Sequence, residues 1–138
     1  MSFLLDTNAV SEWTKPRPNP GLIGWMESTD EDRVFISVIT LAELRYGVER
    51  LAAGARRRRL EAWLGHELPL RFDGRILPVD ANIAEVWGKT VSRSDAAGRP
   101  IGAMDAFLAA IAEFHHLTLV TRDASDFQLL KAVLNPWT

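Results

Sequence analysis

The chain alternates short apolar runs with longer stretches of helical periodicity. Phe3-Leu4-Leu5 is apolar and stops at Asp6-Thr7-Asn8, which reads as a short buried strand delivering a carboxylate to its own carboxyl end. Ala9 to Trp13 continues as a short helix. Pro16, Pro18 and Pro20 then break it, because such a run fits neither helix interior nor central strand. Gly21 to Ser28 reads as a helix with Leu22, Ile23, Trp25 and Met26 on or near its inner face, followed by the acidic turn Thr29 to Asp32. Val34-Phe35-Ile36 is a strand by its β-branched and aromatic content. Thr40 opens a long helix with Leu41, Leu44, Val48 and Leu51 at helical spacing, and Gly54 ends it. A second helix carries Arg56 to Arg59 near its start and turns Leu60, Trp63 and Leu64 inward.

Arg75 to Val79 predicts the third strand, with Pro78 marking a sheet edge or a strand end. Asp80 caps a helix bearing Ile83, Val86 and Trp87. Ser94 to Pro100 is a small polar loop. Met104-Asp105 opens a helix whose Phe107, Leu108, Ile111 and Phe114 form a core face. Leu117 to Val120 is the fourth strand, ending in Thr121-Arg122-Asp123. A turn at Asp126-Phe127 leads to Ala132-Val133-Leu134, an edge strand. Strands alternating with helices predict an α/β domain over residues 1–138, with a mostly parallel sheet covered by helices on both faces.

Composition narrows the chemistry. Hydrophobic residues make up 47% and charged residues 25% of 138, ordinary for a folded domain. The absence of cysteine excludes disulfides, zinc-thiolate sites and thiol nucleophiles, and fits a cytoplasmic location. No basic segment with a long apolar run opens the chain, so no signal peptide is expected, and no run is long enough to span a membrane. The net charge is −2, so polyanion binding has to rest on local patches.

Four acids share a placement: Asp6 follows the first strand, Glu43 lies one turn into the helix after the second, Asp105 opens a helix, and Asp123 follows the fourth strand. In a parallel sheet, strand ends and the starts of the following helices share one edge. Each acid also has a purely structural use. Asp6 suits an N-cap, Thr40 with Glu43 matches a capping box, Asp105 suits a helix start, and Asp123 suits a turn. Together in one pocket, they raise one another's pKa, a conflict that a divalent cation resolves. Oxygen donors select magnesium, or manganese, over softer-site metals, and such an ion prepares water for in-line attack on phosphorus.

These residues also carry a resemblance. Leu5-Asp6-Thr7-Asn8 with Ser11-Glu12, Ser37 to Leu44 with Gly47, Met104 to Ala110, and Thr121 to Phe127 together resemble the PIN-domain ribonucleases of the VapC/FitB toxin type. The resemblance implies a metal-dependent endoribonuclease, the toxin of a toxin–antitoxin pair, forming a homodimer restrained by a VapB-like antitoxin and acting on RNA. On the matching positions it implies Asp6 and Asp105 as principal magnesium ligands, with Glu43 and Asp123 completing the cluster. Thr7, Asn8 and Thr121 become supporting or phosphate-facing groups. The family often has Asn where Asp123 stands, which leaves Asp126 as an alternative fourth acid.

The remaining features read more plainly. Arg56 to Arg59 point in four directions on a helix and suit a solvated surface better than a phosphate stripe. Arg122 is a phosphate candidate, its alternative being an ion pair with a neighbouring acid. Trp13, Trp25, Trp63, Trp87 and Trp137 suit core or interface packing. His66, His115 and His116 stand apart from the acids. A receiver-like signalling domain is the rival, with Asp80 as the phosphorylated residue. A catalytically silent partner-binding module is another.

Overall fold

A computed structural model describes all residues, Met1–Thr138. Five strands form one sheet in the order β3-β2-β1-β4-β5: β1 (Phe3–Leu5), β2 (Val34–Ser37), β3 (Ile76–Leu77), β4 (Thr118–Val120) and β5 (Val133–Leu134). Every pairing is parallel. β1 is the central strand, with Leu4 opposite Phe35 on one side and Leu119 on the other. β3 and β5 are the edges, as Pro78 and the short Ala132 to Leu134 stretch suggest.

The period of two along the strands divides the core. Leu5, Val34, Ile36 and Val120 face one side, where α1 (Thr7–Glu12), α2 (Pro20–Glu27) and α3 (Val38–Glu49) supply Val10, Leu22, Leu44 and Val48, α4 (Ala55–Ala62) adds the partly buried Leu60, and α5 (Leu68–Arg71) adds Leu68 with Phe72 just beyond it. Leu4 and Leu119 face the other, against Ile83 of α6 (Ala81–Ala96) and Leu108 and Ile111 of α7 (Ala103–Phe114). The aliphatic runs of β1 and β4 are therefore buried on both faces, the usual reading of a parallel central strand. No helix is long and apolar enough to cross a membrane.

Several boundaries differ from the sequence expectations. The helix after β2 starts at Val38, not Thr40, because the Ser37 hydroxyl accepts the Thr40 backbone N–H at 3.3 Å and is the true N-cap. The arginine-bearing helix, for which the sequence sets no end, runs through a π-helical turn (Trp63–Glu67) into α5. Ser94 is not in a loop. It is buried in the last turn of α6, which closes at Gly98 in a left-handed conformation, φ 69°. Phe114 is 40% exposed, because α7 turns it out of the core at its last residue. The tryptophans are all partly buried, with Trp13 stacked on Phe72 and Trp87 on Phe107.

α7 closes without glycine. His116 takes φ 56°, and its N–H donates to the Glu113 carbonyl at 3.3 Å while the Leu117 N–H donates to the Ala112 carbonyl at 2.8 Å. This is the Schellman arrangement, normally filled by glycine because a side chain is strained there. His116→Gly is expected to raise stability by about 1 kcal/mol, read as a higher urea midpoint with an unchanged slope. A lower midpoint would mean the imidazole contributes more than the strain costs.

Candidate active site

In the strand order, β2 and β3 lie on one side of β1, and β4 and β5 on the other. The carboxyl ends of β1 and β4 thus flank the switch point, where open parallel sheets bind ligands. Asp6 ends β1 there and is 7% exposed. Its Oδ1 accepts the Thr7 backbone N–H at 2.6 Å and caps α1. Its Oδ2 accepts the Thr121 hydroxyl at 2.7 Å and the Asn8 amide at 3.4 Å. Burial pushes the Asp6 carboxyl above its ordinary range; the bonds from Thr121 and Thr7 oppose this, and the charges of Glu43 and Asp123 add to it.

Glu43 has a different partner from the one its spacing suggests. The capping-box reading fails, since Ser37 caps α3. Glu43 instead accepts the Thr7 hydroxyl at 2.6 Å. Thr7 Oγ1 lies 3.1 Å from Thr40 Oγ1. A hydroxyl has one proton, and that of Thr7 goes to Glu43, so fully buried Thr40 donates to Thr7. Thr40 is therefore an interior residue of α3 and not its first, and its buried hydroxyl has no distinct sequence signal.

Asn8 ties β1 to β4. Its amide donates to Asp123 Oδ2 at 3.1 Å and Thr121 Oγ1 at 3.4 Å, and its carbonyl accepts the Arg122 N–H at 3.3 Å. The Asp123 N–H donates to Thr121 Oγ1 at 3.0 Å. Arg122 points toward solvent, its Nε 3.8 Å from Asp123 Oδ1, the ion-pair arrangement weighed against phosphate contact.

Asp105 stands in the first turn of α7 but does not cap it; Gly102 occupies the cap position with no side-chain bond. Its carboxyl is pushed up to about 6 by burial first, then by the charges of Asp6, Asp126, Glu43 and Asp123. Asp6, Glu43, Asp105, Asp123 and Asp126, with Thr7 and Asn8, line one cavity of about 200 Å³. Asp123 and Asp126 both belong to it: Asp123 is tethered by Asn8, whereas Asp126 weighs more heavily on Asp105. His115 and His116 lie at the opposite edge of the sheet, in a hollow with Met1 and Ser2. Asp80 caps α6 by accepting the Ile83 N–H at 3.0 Å, so the residue a receiver-like reading requires has a structural use.

The donors are all carboxylate, hydroxyl or amide oxygens, suited to a hard divalent cation. No three carboxylates are close enough together to form a ready-made coordination sphere.

A parallel sheet in this order, with acids gathered at its switch point, is the architecture of a known class. The chain belongs to the PIN-domain family, whose pattern matches residues 3–132. Within that family it is 40% identical over 136 residues to toxin FitB of Neisseria gonorrhoeae, across 98% of both chains. It is 33% identical to the VapC ribonuclease Y4jK of Sinorhizobium fredii, across 98% of this chain and 97% of the other. Among solved structures, FitAB bound to an IR36 DNA fragment matches with a TM-score of 0.92 at 37% identity, over 99% of this chain and 96% of that one. The DNA-bound VapBC of Salmonella typhimurium matches with a TM-score of 0.80 at 26% identity, over 97% of both.

Asp105 is harder to ionise in the folded protein than in the unfolded chain, from 3.8 up to about 6. Its protonation therefore favours the fold, and that contribution is lost as pH rises through about 6. Asp105→Asn is expected to raise the melting temperature of the metal-free protein at pH 7–8, with the gain shrinking as pH falls toward 4. Thermal melts of both proteins across that range, with EDTA present, measure this directly.

Proposed function

We propose that this PIN domain is a divalent-metal-dependent endoribonuclease that hydrolyses RNA phosphodiesters, and that it is the toxin of a type II toxin–antitoxin module. The observation that carries the reading is the set of acids at the switch point, in a cavity lined by no lysine or arginine, with Arg122 only loosely paired to Asp123 at its exposed side. A carboxylate cluster so poorly neutralised calls for a cation. The proposed ion is magnesium, with manganese able to replace it. When bound, it supplies a Lewis-acid charge for activating water and stabilising the leaving oxygen.

Asp6 and Asp105 are assigned to hold the ion, and Glu43 and Asp123 to complete the acidic set. Thr121 fixes one Asp6 oxygen, Thr7 fixes Glu43, and Asn8 holds Asp123 against Asp6. Arg122, exposed beside Asp123, is assigned to a substrate phosphate. The likeness to FitB and to VapBC complexes supports a homodimer restrained in the cytoplasm by a VapB-like antitoxin.

Asp6→Asn and Asp105→Asn are each expected to lower RNA cleavage more than ~100-fold while leaving the circular dichroism spectrum unchanged. A contaminant-free variant cutting at the parental rate would overturn the assignment. Manganese is expected to raise the melting temperature of the parent more than that of Asp105→Asn. For positioning, Thr7→Val should lower kcat by about 10- to 100-fold, with Thr7→Ser close to the parent; equal activity in all three would remove Thr7 from the site.

A further inference from the structure

A second cavity, of about 320 Å³, adjoins the acid site and shares Asp105, Asp126 and Phe127 with it. One wall is the last turn of α6 and residues 99–102; the other is the 3-10 turn Ala124–Phe127 with Leu129 and Leu130. Two guanidinium groups line it. Arg93 is paired with Glu113 at 3.1 Å. Arg99 is exposed and takes part in none of the chain's ion pairs.

The backbone fixes where Arg99 stands. Its N–H donates to the Ser94 carbonyl at 2.9 Å, and the Gly98 N–H donates to the Asp95 carbonyl at 3.1 Å. With Gly98 left-handed, this is a Schellman closure, so Arg99 is held at a set position on the rim. An unpaired cation held beside an acid cluster has no internal partner to explain it. Ile101 and the half-exposed Leu129 give the same cavity an apolar surface.

We infer that this cavity is the subsite for the nucleotide adjoining the scissile phosphate, with Arg99 taking that nucleotide's phosphate. The inference rests on the proposed endoribonuclease function. RNA cut at the acid site must continue past it, and this cavity opens from that site. Single-stranded RNA, with a charged backbone and flat bases, fits a cation beside apolar side chains.

The test measures binding apart from cleavage. Short fluorescein-labelled single-stranded RNA is titrated into the full-length Asp6→Asn protein over a range of salt, with fluorescence anisotropy as the readout. Adding Arg99→Gln is expected to weaken binding several-fold and to reduce the slope of log K against log salt by about 0.7. Arg99→Lys should keep most of the affinity. Arg58→Gln, the same charge change on the solvated face of α4, should leave binding unaltered. Equal losses from Arg99→Gln and Arg58→Gln, or no loss from Arg99→Gln, would overturn the subsite. So would intact RNA affinity with a weakened complex with a co-expressed VapB-like antitoxin, which would give the cavity to the antitoxin. If the parent fails to cut RNA with magnesium or manganese, the endoribonuclease reading falls and this inference with it; if it cuts and Arg99→Gln binds normally, only the subsite falls.

Discussion

Everything at the acid edge depends on one buried carboxylate. Asp6 sits at the end of the central strand, out of water, and cannot be left bare there, because an unsatisfied buried charge is costly. The chain answers from three directions. The Thr7 backbone takes one oxygen, and Thr121 just after β4 and Asn8 from α1 take the other. Those bonds also join β1 to the segment after β4, so the charge that the site needs helps fix the strands that carry it.

The sheet makes this possible by being buried on both faces. Leu4 and Leu5 point into opposite cores and leave β1 no freedom to slide, since a one-residue slip would exchange the two faces. α3 and α7 then bring Glu43 and Asp105 to the same edge from opposite sides of the sheet. Each helix start is positioned by its own local device: the Ser37 cap for α3, and for α7 the turn at Gly98 followed by Pro100-Ile101-Gly102.

Much of this was legible in the sequence, and the failures share a cause. The strands and their mostly parallel arrangement follow from short apolar runs separated by helical periods, whereas the order of the strands in the sheet does not. The fold class follows from the alternation. The helix starts were harder: at Ser37 and Thr40 two good caps stand three residues apart, and local chemistry alone does not choose between them. The choice is made by tertiary structure, because Thr40 is needed in the interior to donate to Thr7. The same decision changes Glu43 from a capping residue into the acceptor of a long-range bond. Ser94 lies in α6 and not in a loop for a related reason. A small polar residue reads as loop, yet a serine fits where α6 packs closely on α7. The positive φ at His116 had no signal at all, since histidine gives no hint that a helix closes on it.

The acids of the site are not equivalent, and their differences give it a direction. Asp6, Glu43 and Asp123 each accept a hydrogen bond from a side chain fixed elsewhere in the fold. Asp105 and Asp126 accept none, and they are the two acids common to both cavities. One side of the site is thus held rigid by Thr7, Asn8 and Thr121, and the other is left electrostatically unsettled, with the Asp105 carboxyl pushed up to about 6. Fixed donors suit the side that must hold its geometry through a reaction. Unsettled charge suits a side left open to incoming charged groups. The one unpaired guanidinium of the adjoining cavity lies on that same side, so charge and shape both single out the Asp105 side of the site.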